Sequence, residues 1–550
     1  MDHLSDFLPT NIQAYLQSQS LSPTTSAGYA GLALLVLYAI SKVVSRPKYA
    51  LPLPPGPPAK WFFQPPFPSR NIAHYLEDLT EEYGPVYTIK QGSNLIVVIG
   101  RMQAATEIME KYGGSNIDRP RNIVGNELLT QSGRLLMETG GDRFRRMRKA
   151  AHIALQPKAA ESYEPIQLTA ARTVILNLLR DPARFTEHMK TYAASVVLRI
   201  TYGKRTPTSF HSPEVQRVHV VLERVQTTFV PGAYLVELLP FLKVFHRLGG
   251  MRRICDALEG VGLTWMSRVV GAFGWELAQW RKDERGLVLG LVNRVKKEMD
   301  EGTASASFTR HMLETQDVHG LPEDTMAYVS LGLFGAGSDT TALALTHAMM
   351  VAAVFPETQA RVQAEIDAVV GRDRVPTFED HDKLPQLLAF AQELLRFRPI
   401  VPIGLAHKAN KDIVYNNYLI PAGATILGTG WAISRDPEAF PNPHAFDPQR
   451  WLDADGKLRS DMKYYPFGFG RRVCPGQHVA NRSIFINLAL IFWAFTIKPA
   501  PGKPLDIDSW TDGPASRLPP FEVKFEPRKS EEVIMRALDE FRDGEVEEEA

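Results

Sequence analysis

A chain of 550 residues, 44% hydrophobic and 22% charged, has ordinary globular composition, which excludes a disordered or collagen-like protein. Its 62 basic side chains face 61 acidic ones, and a formal charge of +1 gives no electrostatic reason to expect nucleic acid as partner. Cys255 and Cys474 are the only cysteines, so there is no disulfide framework, and sparse thiols fit a reducing compartment.

No charge occurs between Phe7 and Ser41, and Ala27 to Ile40 is almost wholly apolar. Extended to Ser26 and Val44 the run has 19 residues, near the roughly 20 that span a bilayer as a helix. Asp2 and Asp6 precede it, while Lys42, Arg46 and Lys48 follow. The positive-inside rule then puts the N-terminus in the lumen and the rest in the cytosol. A cleaved signal peptide and a buried core helix are the alternative readings, and the first lacks a basic n-region. Residues 47–68 contain nine prolines, a composition that makes a semi-rigid spacer and excludes helix or central strand. The predicted organisation is a luminal N-terminus over 1–25, a transmembrane anchor over 26–45, a proline-rich hinge over 46–69, one folded body over 70–528 and an acidic tail over 529–550.

Within the body, Val86–Lys90 and Leu95–Ile99 read as a strand pair around Gln91-Gly92-Ser93. Pro322 is placed to open a helix at its first position, and Pro356 marks the other end. The segment between is apolar nearly all round, which predicts a buried helix. A second hairpin-like region runs from Asp412 to Thr429 with Asn416-Asn417 as turn residues. A helical pattern starts near His478. The last 20 residues hold nine acids and two arginines, which predicts a solvated tail. Fold class is mainly α with small β-sheets.

The segment Phe467-Gly468-Phe469-Gly470-Arg471-Arg472-Val473-Cys474-Pro475-Gly476 carries the chemistry. Glycines let backbone pass close to a flat group. A cysteine just before a helix sits at its positive end, which favours thiolate, the form that binds metal. Arg472 offers a fixed cation for a carboxylate. Cys255, with no such context, reads as a buried structural thiol.

The segment resembles the haem-binding loop of the cytochrome P-450 superfamily, Phe-x-x-Gly-x-Arg-x-Cys-x-Gly, at every fixed position. The resemblance implies haem b (iron protoporphyrin IX) with Cys474 as axial iron ligand, Arg472 on a propionate, and Phe467 and Gly476 shaping the loop. The thiolate would push electron density that favours O–O cleavage. Three further motifs follow the family's pattern. Glu393-Leu394-Leu395-Arg396 resembles its Glu-x-x-Arg, and i, i+3 spacing puts both side chains on one helix face. Arg450, in Pro448-Gln449-Arg450-Trp451, would complete a buried structural triad with them. Ala336-Gly337-Ser338-Asp339-Thr340-Thr341 resembles the oxygen-binding motif. There Ala336 and Gly337 would leave room over the haem, Thr340 would hydrogen-bond in the opening and Asp339 would relay protons. A mid-helix hydroxyl bonded back to a carbonyl is the alternative.

Arg148 matches the propionate-binding arginine of the family's Trp-x-x-x-Arg, but Phe144 stands where the tryptophan would and has no N–H to offer. His407 matches a propionate contact of many relatives. The resemblance covers the chain from the hinge to about Arg528. The stretch from Pro231 to Lys243 looks like the F–G region of fungal microsomal members, and its apolar content suits a membrane surface and a buried core equally. It implies a monooxygenase of the endoplasmic reticulum membrane, facing the cytosol. It would use dioxygen, a hydrophobic small-molecule substrate and electrons from NADPH through a separate reductase. Arg145, Arg146, Lys149 and Arg471 would form part of the docking face. Candidate pocket stretches are Ile123–Leu136, Ile400–Leu405 and Thr511–Arg517. Fungal secondary metabolism, xenobiotic oxidation and fatty-acid hydroxylation all remain open. So do a peroxide-using isomerase or dehydratase of the same fold and, from another class, a non-enzymatic haem sensor or carrier.

Overall fold

The computed structural model describes residues 50–58, 68, 71–91, 94–131, 133–205, 208–229, 234–238, 240, 243, 251–264, 275–509, 511, 513 and 515–548. The predicted anchor, most of the hinge and part of the 231–243 stretch lie outside these residues. Among the described residues no single helix is long and apolar enough to cross a membrane. By compactness the chain divides into a large unit, Pro54–Tyr415 with Ile420–Ala550, and a small one of Met1–Leu53 with Asn416–Leu419. In the small unit Leu419 N–H donates to Pro52 C=O at 2.8 Å.

The chain enters the large unit through α1 (Ile72–Tyr83), β1 (Val86–Gln91) and β2 (Asn94–Ile99). The longer helices that follow are α2 (Asp142–Leu155), α3 (Glu164–Arg180), α4 (Phe185–Tyr202) and α5 (Pro213–Thr227). Then come α6 (Trp275–Asp300), the long α7 (Glu323–Val354), α8 (Pro356–Val369) and α9 (Pro385–Phe397). Short strands β3 (His407–Lys408), β4 (Ile413–Tyr415), β5 (Tyr418–Ile420) and β6 (Thr425–Gly428) precede α10 (Gln477–Ala494). β7 (Phe495–Pro499), β8 (Val523–Pro527) and α11 (Glu531–Glu548) complete the order.

β1 and β2 pair antiparallel, Val86 opposite Ile99. β6 lies parallel to β2, with Ile96 opposite Thr425, and β3 closes the sheet antiparallel to β6. Asn416 and Asn417, between β4 and β5, take φ of 46° and 62°, the left-handed region that asparagine tolerates in tight turns.

The core gathers around α7. Its residues are buried on almost every side, as the all-round apolar sequence predicts, against α3, α4, α9 and α10. Pro322 is the residue before the helix and not its first member, because its ψ of 150° is extended; Glu323 and Asp324 fill the first turn, where the dipole favours acids. The expectation of a solvated tail is corrected. Residues 531–548 form α11, and Ile534, Ala537 and Leu538 are buried in the main core. Their i, i+3, i+4 spacing makes a narrow apolar stripe among the acids, and Arg172 of α3 donates to Leu538 C=O.

Candidate active site

Gly468 and Gly470 take φ of 86° and 52°, and a methyl group on Gly470 would stand 2.7 Å from Met109 O, so the loop needs glycine there. Cys474 N–H donates to Phe467 C=O at 2.8 Å, and Gly476 precedes the first turn of α10. The sulfur thus sits at a helix N-terminus, bonded by the Gly476 backbone and near Arg148. Burial nevertheless pushes the Cys474 thiol above its ordinary value. A metal cation at the sulfur reverses that balance, because a coordinated thiol is deprotonated.

Cations converge beside it. Arg472 donates to Ile117 O at 2.7 Å and Glu138 O at 2.6 Å, and Arg148 donates to Val473 O. Arg119, 8% exposed, donates to Leu136 O, Leu405 O and Ala406 O at 3.1, 3.0 and 2.7 Å. Among the described residues no carboxylate bonds to any of the three. Burial and the mutual repulsion of Arg119 and Arg472 bring Arg119 down to about 9, while burial chiefly brings Arg472 to about 10. His407 lies in β3 with Nδ1 2.9 Å from Asn116 O; burial and the Arg119 charge hold its ring neutral, with a pKa of about 3. Phe144 compensates for its missing N–H in another way. Its ring lies 3.9 Å beneath the Arg472 guanidinium and fixes it by a cation–π contact.

On α7, away from its ends, the residues left at least partly accessible are Gly332, Leu333, Ala336, Gly337, Thr340 and Leu343, which gather on one side of the helix. Thr340 Oγ1 donates to Ala336 O at 2.8 Å. Asp339 is buried and accepts from Arg517 Nη2 at 2.8 and 3.0 Å. A methyl group on Gly337 would meet Val197 Cγ2 at 2.8 Å, and one on Gly335 would meet Leu222 at 2.8 Å. These glycines let α4 and α5 approach the helix, and Gly337 stays partly accessible beside Ala336.

Glu393 and Arg396 come together as their i, i+3 spacing predicts, and Arg450 joins them as the resemblance implies. Arg396 makes two bonds to Glu393, at 2.7 and 2.8 Å, and three to the carbonyls of Ser434, Pro443 and Ala445. Arg450 Nε, Asp447 N–H and Trp451 Nε1 complete the carboxylate's partners at 3.2, 2.8 and 2.9 Å. Outside the loop, Arg145, Arg148, Lys149, His152 and Arg471 line a concavity of about 440 Å³ with Ile117, Phe144 and Gly470. Arg146 lies apart from it, paired with Asp142 at 2.9 Å.

The cytochrome P-450 family model matches residues 54–525. Cytochrome P-450 monooxygenase 113 of Postia placenta is 45% identical over 500 residues, covering 90% of this chain and 96% of its own. Monooxygenase 88 of the same fungus is 44% identical over 92% of this chain and 98% of its own, and a monooxygenase of Armillaria gallica is 33% identical over 82% and 85%. A zebrafish cytochrome P-450 structure with progesterone superposes with a TM-score of 0.66 at 23% identity, over 83% of this chain and 99% of that one. The chain belongs to the cytochrome P-450 family. It is an enzyme of that family's monooxygenase class, and the fold is the P-450 fold, mainly helical with small sheets.

A P-450 implies haem, and the residues present fit one. A buried cation without an anion is costly. Arg119 is buried with carbonyl partners, and the half-buried Arg148 and Arg472 stand with it near a thiol at a helix N-terminus. Arg472 lies within the field of Asp118 and Glu138 but is hydrogen-bonded only to carbonyls among the described residues. Propionates would supply the missing anions and iron the missing partner of Cys474. Of these residues, the sequence reading missed Arg119. It stands in Ile117-Asp118-Arg119-Pro120-Arg121, which offers no local sign of burial, and only the fold brings it to His407 and Arg472. Arg517 was placed in a pocket stretch, but its partner Asp339 could not be read from spacing, being 178 residues away.

Proposed function

We propose that this P-450 is a membrane-anchored, NADPH-dependent monooxygenase that binds haem b and oxidises a hydrophobic small molecule. The observation that carries the proposal is the meeting of Cys474 with three guanidinium groups whose hydrogen bonds, among the described residues, all go to carbonyls. Bound there, haem would supply the redox chemistry that activates dioxygen and places one of its atoms in the substrate. Cys474 would face the iron, Arg119, Arg148 and Arg472 would bind the propionates, and neutral His407 would add a hydrogen bond. Leu333, Ala336 and Leu343 keep one face of α7 apolar, which favours an apolar substrate and excludes water. Thr340 Oγ1 is held by Ala336 C=O and can turn from it to present a proton; Asp339 would replenish that proton from water. The basic concavity around Arg145, Lys149 and Arg471 suits an acidic electron donor such as a flavin reductase. The apolar run over 26–45 supports anchoring in the endoplasmic reticulum membrane with the body in the cytosol, and the reaction is proposed to belong to fungal secondary metabolism.

The decisive test is the spectrum of the reduced carbon monoxide complex. Wild type should show the long-wavelength band of thiolate ligation, and Cys474→His should lose it and the activity. A wild-type band typical of histidine ligation would overturn the assignment of Cys474. Carbonate extraction of the full-length chain tests the anchor, and release into the soluble fraction would refute it.

A further inference from the structure

Residues 133–138 connect two long helices to the arginines beside Cys474. Gly133 lies against α7, where a methyl group on it would meet the Tyr328 ring at 2.6 Å. Arg134 Nη2 donates to Glu284 Oε1 of α6 at 2.5 Å, and both side chains are buried. The carbonyl of the same Arg134 accepts from Met137 N–H and Glu138 N–H, both at 3.1 Å, and so closes a turn. Two carbonyls of that turn are taken by arginines of the cofactor site. Leu136 O accepts from Arg119 Nε at 3.1 Å, and Glu138 O accepts from Arg472 Nη2 at 2.6 Å. Arg134 therefore stands at both ends of the connection, its side chain on α6 and its backbone in the turn.

An ion pair sealed from water adds little stability, because desolvating two charges offsets most of their attraction. Its contribution is direction, since a guanidinium fork meets a carboxylate in a fixed geometry. Burial pushes the Glu284 carboxyl above its ordinary value, and the Arg134 charge and hydrogen bond oppose that. Arg224, the other cation that Glu284 feels, is bonded instead to Asp283 at 3.1 Å. Met137, on the same turn, packs with Leu129 and Val225 in a small apolar cluster. Apolar packing of that kind tolerates exchange and small shifts. The ion pair is what fixes where the carbonyls of the turn point.

We propose that Arg134 is a positioning residue for the haem: its pair with Glu284 sets the turn whose two carbonyls hold Arg119 and Arg472 where propionates would meet them. The proposal rests on the reading above, in which those arginines bind the propionates. Haem retention and the seating of α6 are then linked through one side chain.

The test uses the full-length, haem-loaded enzyme and a haem acceptor protein. Its forms are wild type, Arg134→Lys, Arg119→Leu, a charge-free pair made by Arg134→Met with Glu284→Leu, and that pair combined with Arg119→Leu. The charge-free pair leaves no buried ion unanswered, so the thermal midpoint of its haem-free chain should match wild type or rise. Haem loss should still speed up about 10-fold, the effect of losing a group that orients a cofactor's own partners. The iron's midpoint potential should fall, as in Arg119→Leu, because propionate charge that is less neutralised favours ferric iron. Arg134→Lys keeps the charge without the fork and should recover at least half of the lost retention. In the Arg119→Leu background the charge-free pair should add no more than about three-fold, since only the Glu138–Arg472 contact is left to disturb. A full additive effect there would overturn the proposal. Haem loss that follows the haem-free midpoint across the forms would make the pair merely structural and would overturn it as well. Wild-type haem loss in the charge-free pair beside fast loss in Arg119→Leu would refute the role of Arg134 and leave the propionate reading intact. Wild-type loss in both would refute that reading itself. Should the charge-free pair not fold, Glu284→Gln, which keeps the shape and an acceptor, answers in its place. Faster haem loss at an unchanged haem-free midpoint then supports the proposal, and wild-type haem loss overturns it.

Discussion

Arg396 and Arg119 are both buried guanidinium groups, and their surroundings differ in one respect. Arg396 has a carboxylate, Glu393, that accepts two of its bonds, and three carbonyls take the rest. Arg119 has carbonyls alone, with a second cation, Arg472, close enough to repel it. Desolvating a charge is costly everywhere in a protein, so the way the charge is answered tells what it is for. The first arrangement is closed and serves the fold. The second is open and has an anion's place built into it.

The largest expected effect tests the closed side. Arg396→Leu leaves Glu393 buried beside a hydrocarbon, and losing one member of such a pair costs about 3–5 kcal/mol. Folded, haem-loaded protein should nearly vanish on expression, and denaturant unfolding of whatever remains should show the deficit. The open side should respond with the opposite sign before cofactor is added. Arg119→Leu removes one of two repelling cations, so the haem-free chain should keep or gain stability, while haem loss to an acceptor protein should speed up about 10-fold, the effect of losing one charge-assisted bond. If Arg119→Leu instead unfolds the haem-free chain as Arg396→Leu does, the distinction collapses.

His347 answers burial in a third way, by giving up its charge. Its folded pKa of about 3 lies below the usual 6.5. Above pH 6.5 both states are neutral; below it only the unfolded chain gains the proton. Stability present at neutral pH is therefore lost as pH falls from 6.5 towards 3, by about 1.4 kcal/mol per pH unit. Urea midpoints at pH 7 and pH 5 should reveal the slope, and His347→Gln should reduce it by about that amount, leaving the equal contribution of His407. The smallest effect belongs to charge in open water. Arg145, 74% exposed, is bound only to a distant Asp142 at 3.6 Å. Arg145→Glu should leave stability unchanged and slow reduction by a flavin reductase several-fold at low salt, the difference fading as salt rises.

The closed arrangement was legible in the sequence because its parts are local: i, i+3 spacing brings Glu393 and Arg396 together without knowledge of the fold. The Cys474 loop was legible for the same reason, since glycines, arginine and thiol stand within ten residues. What escaped depends on distant elements meeting. Arg119 looks like any surface arginine beside a proline until β3 and the Cys474 loop close over it. Gly335 and Gly337 announce a close approach but not its direction, which turned out to be Val197 and Leu222. The tail misled because nine acids outweigh the stripe of Ile534, Ala537 and Leu538 in any compositional reading.

Those two glycines set a limit on how this enzyme can be redesigned. With α4 and α5 pressed against one flank of α7, that flank is a mould already filled, and a mutation there must be matched across the joint before anything is gained at the pocket. Gly337→Ala alone would meet Val197 at 2.8 Å, while the same change with Val197→Ala removes the obstacle. Libraries aimed at new substrates are better spent on positions 333, 336 and 343, on the partly accessible face of the same helix.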